Sequence, residues 1–418
     1  LDEYHRGMAQ ELVRADGELI SRDVDDNGWI SSSTDARAIT TGYQYNNMGW
    51  LTRIDRPSAF NDTIINYAGL GGGDFRQSFV QGGMTTTVWY DAMHRPRQEQ
   101  TSGTGAQTSY VVTRHDITGR VTFQSYPQST PNYVTGTETT YDALGRVIRT
   151  HENAGLDSAT VTTEYLPGNK IRVRDALGAP TTTSYSGFGS PMDGNPVLIE
   201  QPEGVVTSMA YDIYGNLKSA TQGAVGGGLS QTQYWSYDSK LRLCRHYTPE
   251  TGAKLFQYNN ANEMIAYAEG QSGSSGCASS LPSNAKVQLT YDNLGQLTFT
   301  NFPGGTPDIS TSFDDNGNVR TVNRGGVNWS YSYHPQADLL TNETLRLDGR
   351  TYSTSYAYDQ NSALKEMTYP SGRRVAFAPN GLGQATKAQH VNDTVYASSI
   401  SYHANGTVHL MTRGNGRT

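Results

Sequence analysis

The stretch Thr139-Thr140-Tyr141-Asp142-Ala143-Leu144-Gly145-Arg146-Val147-Ile148-Arg149 decides the fold. Its centre reads aromatic, Asp, two variable residues, Gly, a polar residue and an aliphatic residue. Asp142 ends a strand, because its short side chain can accept backbone amides two residues on and form an Asx-turn. Gly145 supplies positive φ at no steric cost. Val147 then starts a return strand and faces Tyr141 as a cross-strand pair. The motif is a β-hairpin written in seven residues.

The same form recurs along the chain. Further clear copies are Tyr211-Asp212 with Gly215, Tyr291-Asp292 with Gly295, and Phe313-Asp314 with Gly317. Weaker copies begin at Val24, Tyr45, Tyr67, Tyr90, His115, Tyr185, Tyr237, Tyr258, Tyr333, Tyr358, Phe377 and Tyr402, and Arg174 opens a related turn. Many copies lie about 22 residues apart, the length of two strands and two turns. Tyr43-Gln44-Tyr45 and Tyr356-Ala357-Tyr358 alternate with the period of two that marks a strand. The expectation is an all-β chain of about 38 strands, a long antiparallel strip of hairpins forming one array over residues 1–418. Residues 270–284, GQSGSSGCASSLPSN, interrupt it as a Gly/Ser-rich loop, and residues 151–164 lengthen another step. The best helical segment is Met8–Ala15.

Composition agrees. The chain of 418 residues has 45 Gly and 27 Tyr, with 35% hydrophobic and 10% aromatic residues. Disordered chains lack aromatics, so the low apolar content points to a thin sheet with short strands and tight turns. The net charge is −7 with both signs scattered and no basic run, which argues against nucleic acid as a partner. No apolar run is long enough for a membrane span. Leu1-Asp2-Glu3 is not a signal peptide, and both ends read as cuts in a longer chain.

YDALGRV, YDIYGNL and YDNLGQL resemble the YD repeat of Rhs, insecticidal toxin-complex C, wall-associated and teneurin proteins, over nearly the whole chain. CRHYTPETG, within the segment Leu243–Cys277, is also similar to bacterial Rhs sequences. The resemblance implies a β-strip that winds into part of a hollow shell. In bacterial members the shell encloses a toxic C-terminal domain. Expected partners are therefore the remainder of the shell and an enclosed toxin domain, with a secretion system or chaperone for delivery. The expected location is secreted or at the bacterial cell surface. No Asp-Pro dipeptide occurs, so the self-cleavage of bacterial members is carried over to no residue. Two cysteines in an exported protein admit a Cys244–Cys277 disulfide or two free thiols.

No catalytic, cofactor or metal site emerges, and the chain reads as a non-enzyme. The nine His are isolated and none forms a zinc motif. Asp23-Val24-Asp25-Asp26-Asn27-Gly28 mimics the start of a calcium loop, but Thr34 stands where a bidentate Glu is needed. The same residues fit the repeat. A glycosidase needs two paired carboxylates, whereas ten of the 39 acids sit at the second position of the repeat, where a structural role explains them without selecting any pair. Trp50, Trp89, Trp235 and Trp329 pack between hairpins or stack on sugars, which leaves a surface-recognition protein binding glycan or protein as the alternative function.

Overall fold

The computed structural model describes residues 4–155, 157–187, 194–273, 275–391 and 394–418. Leu1-Asp2-Glu3, Leu156 and Ser274 lie outside the described residues, as do most of the turn residues after Tyr185.

The all-β expectation is borne out. The described residues form 37 strands and no α-helix, and the one 3-10 turn is Pro202–Gly204. Thirty-five of the strands form one long antiparallel sheet, 56% of the chain being strand. Within it strands pair with neighbours in sequence, as in Leu19–Val24 with Ile30–Thr34, Val205–Tyr211 with Leu217–Ala224, and Val395–Tyr402 with Val408–Arg413. The strip is open, because among the described pairings its first strand, Glu11–Val13, is bonded only to Leu19–Val24.

The chain divides into two compact units. Unit 1 comprises residues 1–136, 292–296 and 309–418, and unit 2 comprises 137–291 and 297–308. In both, one edge of the strip carries the repeat turns and is called the aspartate edge. The opposite, connecting edge joins one hairpin to the next. Burial is sparse, as a single layer of hairpins requires. In unit 1, Ile65, Val112 and Phe123 are buried, and in unit 2 a cluster of Ala253, Leu255, Ala266, Ala268 and Leu281 is buried.

Three local readings are corrected, and the turn opened by Arg174 is present but on the other edge. Within Met8–Ala15 the elements are strands, Met8–Ala9 and Glu11–Val13, and not a helix, with Glu11–Val13 paired to Leu19–Ser21. A segment that short cannot repay helix nucleation, while a strand partner lies one turn away. The strand through Tyr67 runs on to Gly71 and turns at Gly72-Gly73. Ala68 offers no carboxylate to end the strand earlier, and a Gly-Gly pair suits a two-residue hairpin. The turn assigned to Phe377 is built on Asn380, three residues on. The Asp175 turn has the repeat's hydrogen bonds but lies on the connecting edge, since the hairpin before it closes at 167–169.

Candidate functional site: the aspartate turn, the tyrosine ladder and the seam

Each repeat turn is closed by its aspartate. In the Asp142 turn, Oδ1 accepts the amides of Leu144 and Arg146, each at 2.9 Å, and the Gly145 amide bonds the Asp142 carbonyl at 3.0 Å. Oδ2 accepts the Arg146 guanidinium at 2.7 Å. Asp212, Asp292 and Asp314 accept the corresponding amides, with Asn216, Gln296 and Asn318 in place of the arginine. The turn glycines Gly145, Gly215, Gly295 and Gly317 all have φ near +80°. Tyr211 faces Leu217, Tyr291 faces Leu297 and Phe313 faces Val319, each across a one-residue bulge.

The left-handed position is not always glycine. Ala38, His94, Leu241, Asn262 and Ser362 occupy it at φ between 59° and 69°. Aspartate or asparagine capping is therefore strong enough to hold an L-residue there, at a cost of order 1 kcal/mol. Leu241→Gly should relieve that strain and raise stability by about 0.5–1 kcal/mol, read as a higher guanidinium midpoint.

The lead aromatic does more than face its own return strand. Its phenol reaches back to the preceding hairpin and donates to the carbonyl of the residue that opens the return strand there. Tyr45 bonds Ile30 O at 3.0 Å, Tyr67 bonds Leu51 O at 2.9 Å, Tyr237 bonds Leu217 O at 3.0 Å and Tyr258 bonds Leu243 O at 2.9 Å. Tyr291, Tyr333, Tyr358 and Tyr402 do the same to Met264, Val319, Leu340 and Ala385. The turn arginine reaches forward, with Arg146 lying 3.9 Å from the Tyr165 ring centre and Arg242 4.7 Å from that of Tyr258. Sequence reasoning missed this ladder, because the interval from the aliphatic residue to the next lead tyrosine varies from 14 to 27 residues with the length of the connection.

These bonds set a pH window. The Arg95 side chain beside Asp91 holds its carboxyl down at about 2. Burial pushes Asp116 up, but bonds from Thr118 and Arg120 outweigh it and leave the carboxyl far below the usual range. Bonds from the backbone amide of Arg146 lower Asp142, and those from the Asn216 side chain lower Asp212. Depressed carboxyls contribute stability above their unfolded value near 4, lost as pH falls through the folded values. Burial pushes the ladder phenols of Tyr45, Tyr237, Tyr258 and Tyr358 up. Raised phenols contribute stability below about 10, lost as pH rises beyond it. Melting temperature against pH should thus show a broad plateau with losses below about 4 and above about 10. A maximum confined to neutral pH would contradict it.

Within unit 1 the strip meets itself. The connecting edge of the N-terminal hairpins lies against the aspartate edge of the C-terminal ones. Arg14 donates to Asp315 O, Arg37 pairs with Asp338 at 2.5 Å, and Asn316 donates to Asp35 at 2.8 Å. Farther along, Asn61 N bonds Gln360 O at 2.8 Å and its side chain bonds Asn361 at 2.7 Å, while Gly381 N bonds Thr104 O at 2.8 Å. Phe60 packs edge-on to His334 at 5.1 Å. Most separations fall near 300 residues, namely 301, 301, 306 and 300 for Arg14, Arg37, Arg56 and Asn61. The others fall about one hairpin short of that, as for Asn316 and Asp35 at 281, so the contacts follow one another along a single seam.

In unit 2, Cys244 and Cys277 are joined by a disulfide with Cα atoms 5.3 Å apart. The Gly/Ser-rich loop is thereby tied to the strand Leu243–Thr248. Arg245, buried there, donates through Nε to Gly276 O at 2.7 Å and through Nη1 to the carbonyls of Ser272 and Gly273. Leu281 of the loop covers Ala253, Leu255, Ala266 and Ala268. Among the described residues no His, Cys, Asp and Glu side chains gather into a metal-binding group, and no helix is long and apolar enough to cross a membrane. Trp50 packs against Tyr67 at 4.8 Å and Phe75 stacks on Tyr90 at 4.5 Å, lining a cavity on the aspartate edge of unit 1.

The YD-repeat resemblance is borne out. Residues 24–59 match the RHS Repeat family model. No curated protein matches the chain in sequence. Among solved structures, the chain is similar to the crystal structure of TcdB2-TccC3-Cdc42, with TM-score 0.57 and 13% identity over 94% of this chain. It is also similar to a Tc holotoxin pore of Photorhabdus luminescens, with TM-score 0.50 and 12% identity over 95% of this chain. It spans 23% and 21% of those chains. At such identity the likeness is one of fold.

Proposed function

We propose that this chain is a wall segment of the shell of a secreted bacterial Rhs-type toxin, enclosing an effector domain and contributing no chemistry of its own. The observation that carries the reading is the seam in unit 1. A strip whose successive hairpins meet its own opposite edge, one after another, is built to form a continuous wall. The likeness to Tc toxin chains over 94% of the length supports it. The aspartates support it too, since those at the repeat turns are spent on backbone amides and neighbouring side chains, which leaves a structural account of each. The partners would be further YD repeats, the enclosed domain, and a secretion system or chaperone.

The test is limited proteolysis of the intact gene product that carries these repeats. Any effector domain within it should be cut far more slowly than the same domain expressed free. Equal rates would end the shell reading. A second reading, surface recognition of glycan, is favoured by Trp50, which is 44% exposed beside Tyr67 at the mouth of the aromatic cavity. Saccharide binding abolished by Trp50→Ala would support that reading instead.

A further inference from the structure

The buried charge of unit 2 has no counter-ion. Arg245 is 9% exposed, and its partners among the described residues are three neutral carbonyls of the Gly/Ser-rich strap. The strap, residues 270–284, carries no acidic or basic side chain. The charged and titratable side chains on Gln231–Tyr237, Gly252–Tyr258, Met264–Gln271 and Arg245's own strand are Lys254, Glu269 and His246. Lys254 pairs with Glu269 at 2.6 Å, and His246 stacks on Trp235. A buried cation held only by dipoles is costly. One event would give it an anion, the opening of the neighbouring disulfide.

The backbone brings the two together. Ser236 faces Arg245 and Tyr237 faces Leu243, so Cys244 is the extra residue of a bulge. Consecutive residues thereby reach the same strap. Cys244 is bonded to Cys277, and Arg245 donates to the carbonyl of Gly276, the residue before it. The two sulfurs differ in access. Cys277 is exposed in the strap, whereas Cys244 is 4% exposed beneath it. An incoming thiolate therefore reaches Cys277, and Cys244 is the sulfur that leaves.

We propose that the Cys244–Cys277 bridge is a thiol-operated latch on this strap, opened at Cys277 by small thiols of the glutathione class, with Arg245 as the counter-ion of the Cys244 thiolate. The first thiolate attacks Cys277 Sγ and forms a mixed disulfide there. The Cys244–Cys277 bond breaks, and its electron pair leaves on Cys244. A second thiolate attacks the small-molecule sulfur of that mixed disulfide and departs as the oxidised small disulfide. Cys277 leaves as a thiolate and takes a proton. Two small thiols are oxidised and the bridge gains two electrons. A cation beside Cys244 makes it a better leaving group and stabilises the reduced form. The latch is closed in oxidising surroundings and opens in a thiol-rich compartment, releasing the cover of Ala253, Leu255, Ala266 and Ala268. It stands on the bridge and Arg245, not on what the strip encloses, so it and the shell reading can fail separately.

The 418-residue chain is equilibrated in glutathione buffers, quenched with acid and read by mass spectrometry. The mixed disulfide should sit on Cys277. Arg245→Met separates two roles by sign. If Arg245 only anchors the strap, it holds the sulfurs together, and its loss makes the bridge easier to reduce. As counter-ion, its loss makes the bridge about tenfold harder to reduce, a potential about 30 mV lower. Arg245→Lys keeps the charge without the fork and should stay nearer the parent. Circular dichroism reports whether each variant keeps its strands. A further readout needs no change at Arg245. In Cys277→Ser the thiolate absorbance of Cys244 should titrate well below the ordinary thiol value of about 8.5. A mixed disulfide on Cys244, a bridge that resists glutathione until the strands melt, easier reduction in Arg245→Met, or an ordinary titration of Cys244 would each overturn the proposal.

Discussion

Gly381→Val should part the seam of unit 1 and cost about 2–4 kcal/mol, the range for forcing atoms into a filled space against backbone. A Cβ on Gly381 would lie 2.6 Å from Gly83 O and closer still to the Thr104 amide. Neither group can swing away, because Thr104 N bonds Gly83 O at 2.9 Å and Gly381 N bonds Thr104 O at 2.8 Å. The side chain can be housed only by moving the two edges apart, which would weaken the neighbouring bond of Asn61 to Asn361. Urea unfolding measures the loss. Gly69→Val is the control, since a Cβ at Gly69 meets nothing within 4 Å. Equal losses at the two glycines would show that the cost is one of replacing any glycine by valine and not of the seam.

Opening the Cys244–Cys277 disulfide should have the other large effect, about 3–4 kcal/mol on the chain-entropy account of a bridge spanning 33 residues. Most of the loss should be local to unit 2. The loop is a run of Gly and Ser with little packing of its own. Without the bridge, Leu281 and the three carbonyls on Arg245 are left to hold it. Reduction, or Cys277→Ser, should therefore expose the loop to protease before the rest of the strip melts. Cleavage at the same rate with the bridge open or closed would assign the ordering of the loop to Arg245 and Leu281.

The repeat was legible because its chemistry is local. Asp142 caps amides two and four residues on, and Gly145 adopts the one φ that L-residues resist, so seven letters fix a turn. The same locality explains the errors. At Tyr67 the aromatic was right and the turn wrong, because Gly72-Gly73 outcompeted a position without a carboxylate. At Phe377 the capping side chain, Asn380, sat beyond the register imposed by the aromatic. The seam was beyond reach for a different reason. Asn61 and Asn361 bear no mark of each other in the sequence, and their pairing follows from how much each hairpin twists and coils, summed over many of them. Arg245 was hidden likewise, since burial among loop carbonyls leaves no pattern in spacing.

The tyrosine ladder has a consequence for how the molecule comes into being. Each phenol needs a carbonyl that belongs to the hairpin already made before it, as Tyr258 needs Leu243 and Tyr402 needs Ala385. Pairing between consecutive strands keeps loop-closure entropy low at every step, so the strip can zip from its first hairpin while the ribosome is still adding the next. The seam obeys another schedule. Arg37 has to wait about 300 residues for Asp338, which is 15–60 s at ordinary elongation rates of about 5–20 residues per second. During that interval the connecting edge of the nascent chain stands bare. Synthesis therefore gives this protein a vulnerable adolescence, in which slowing the ribosome lengthens the exposure and a transient companion on the early hairpins would shorten it.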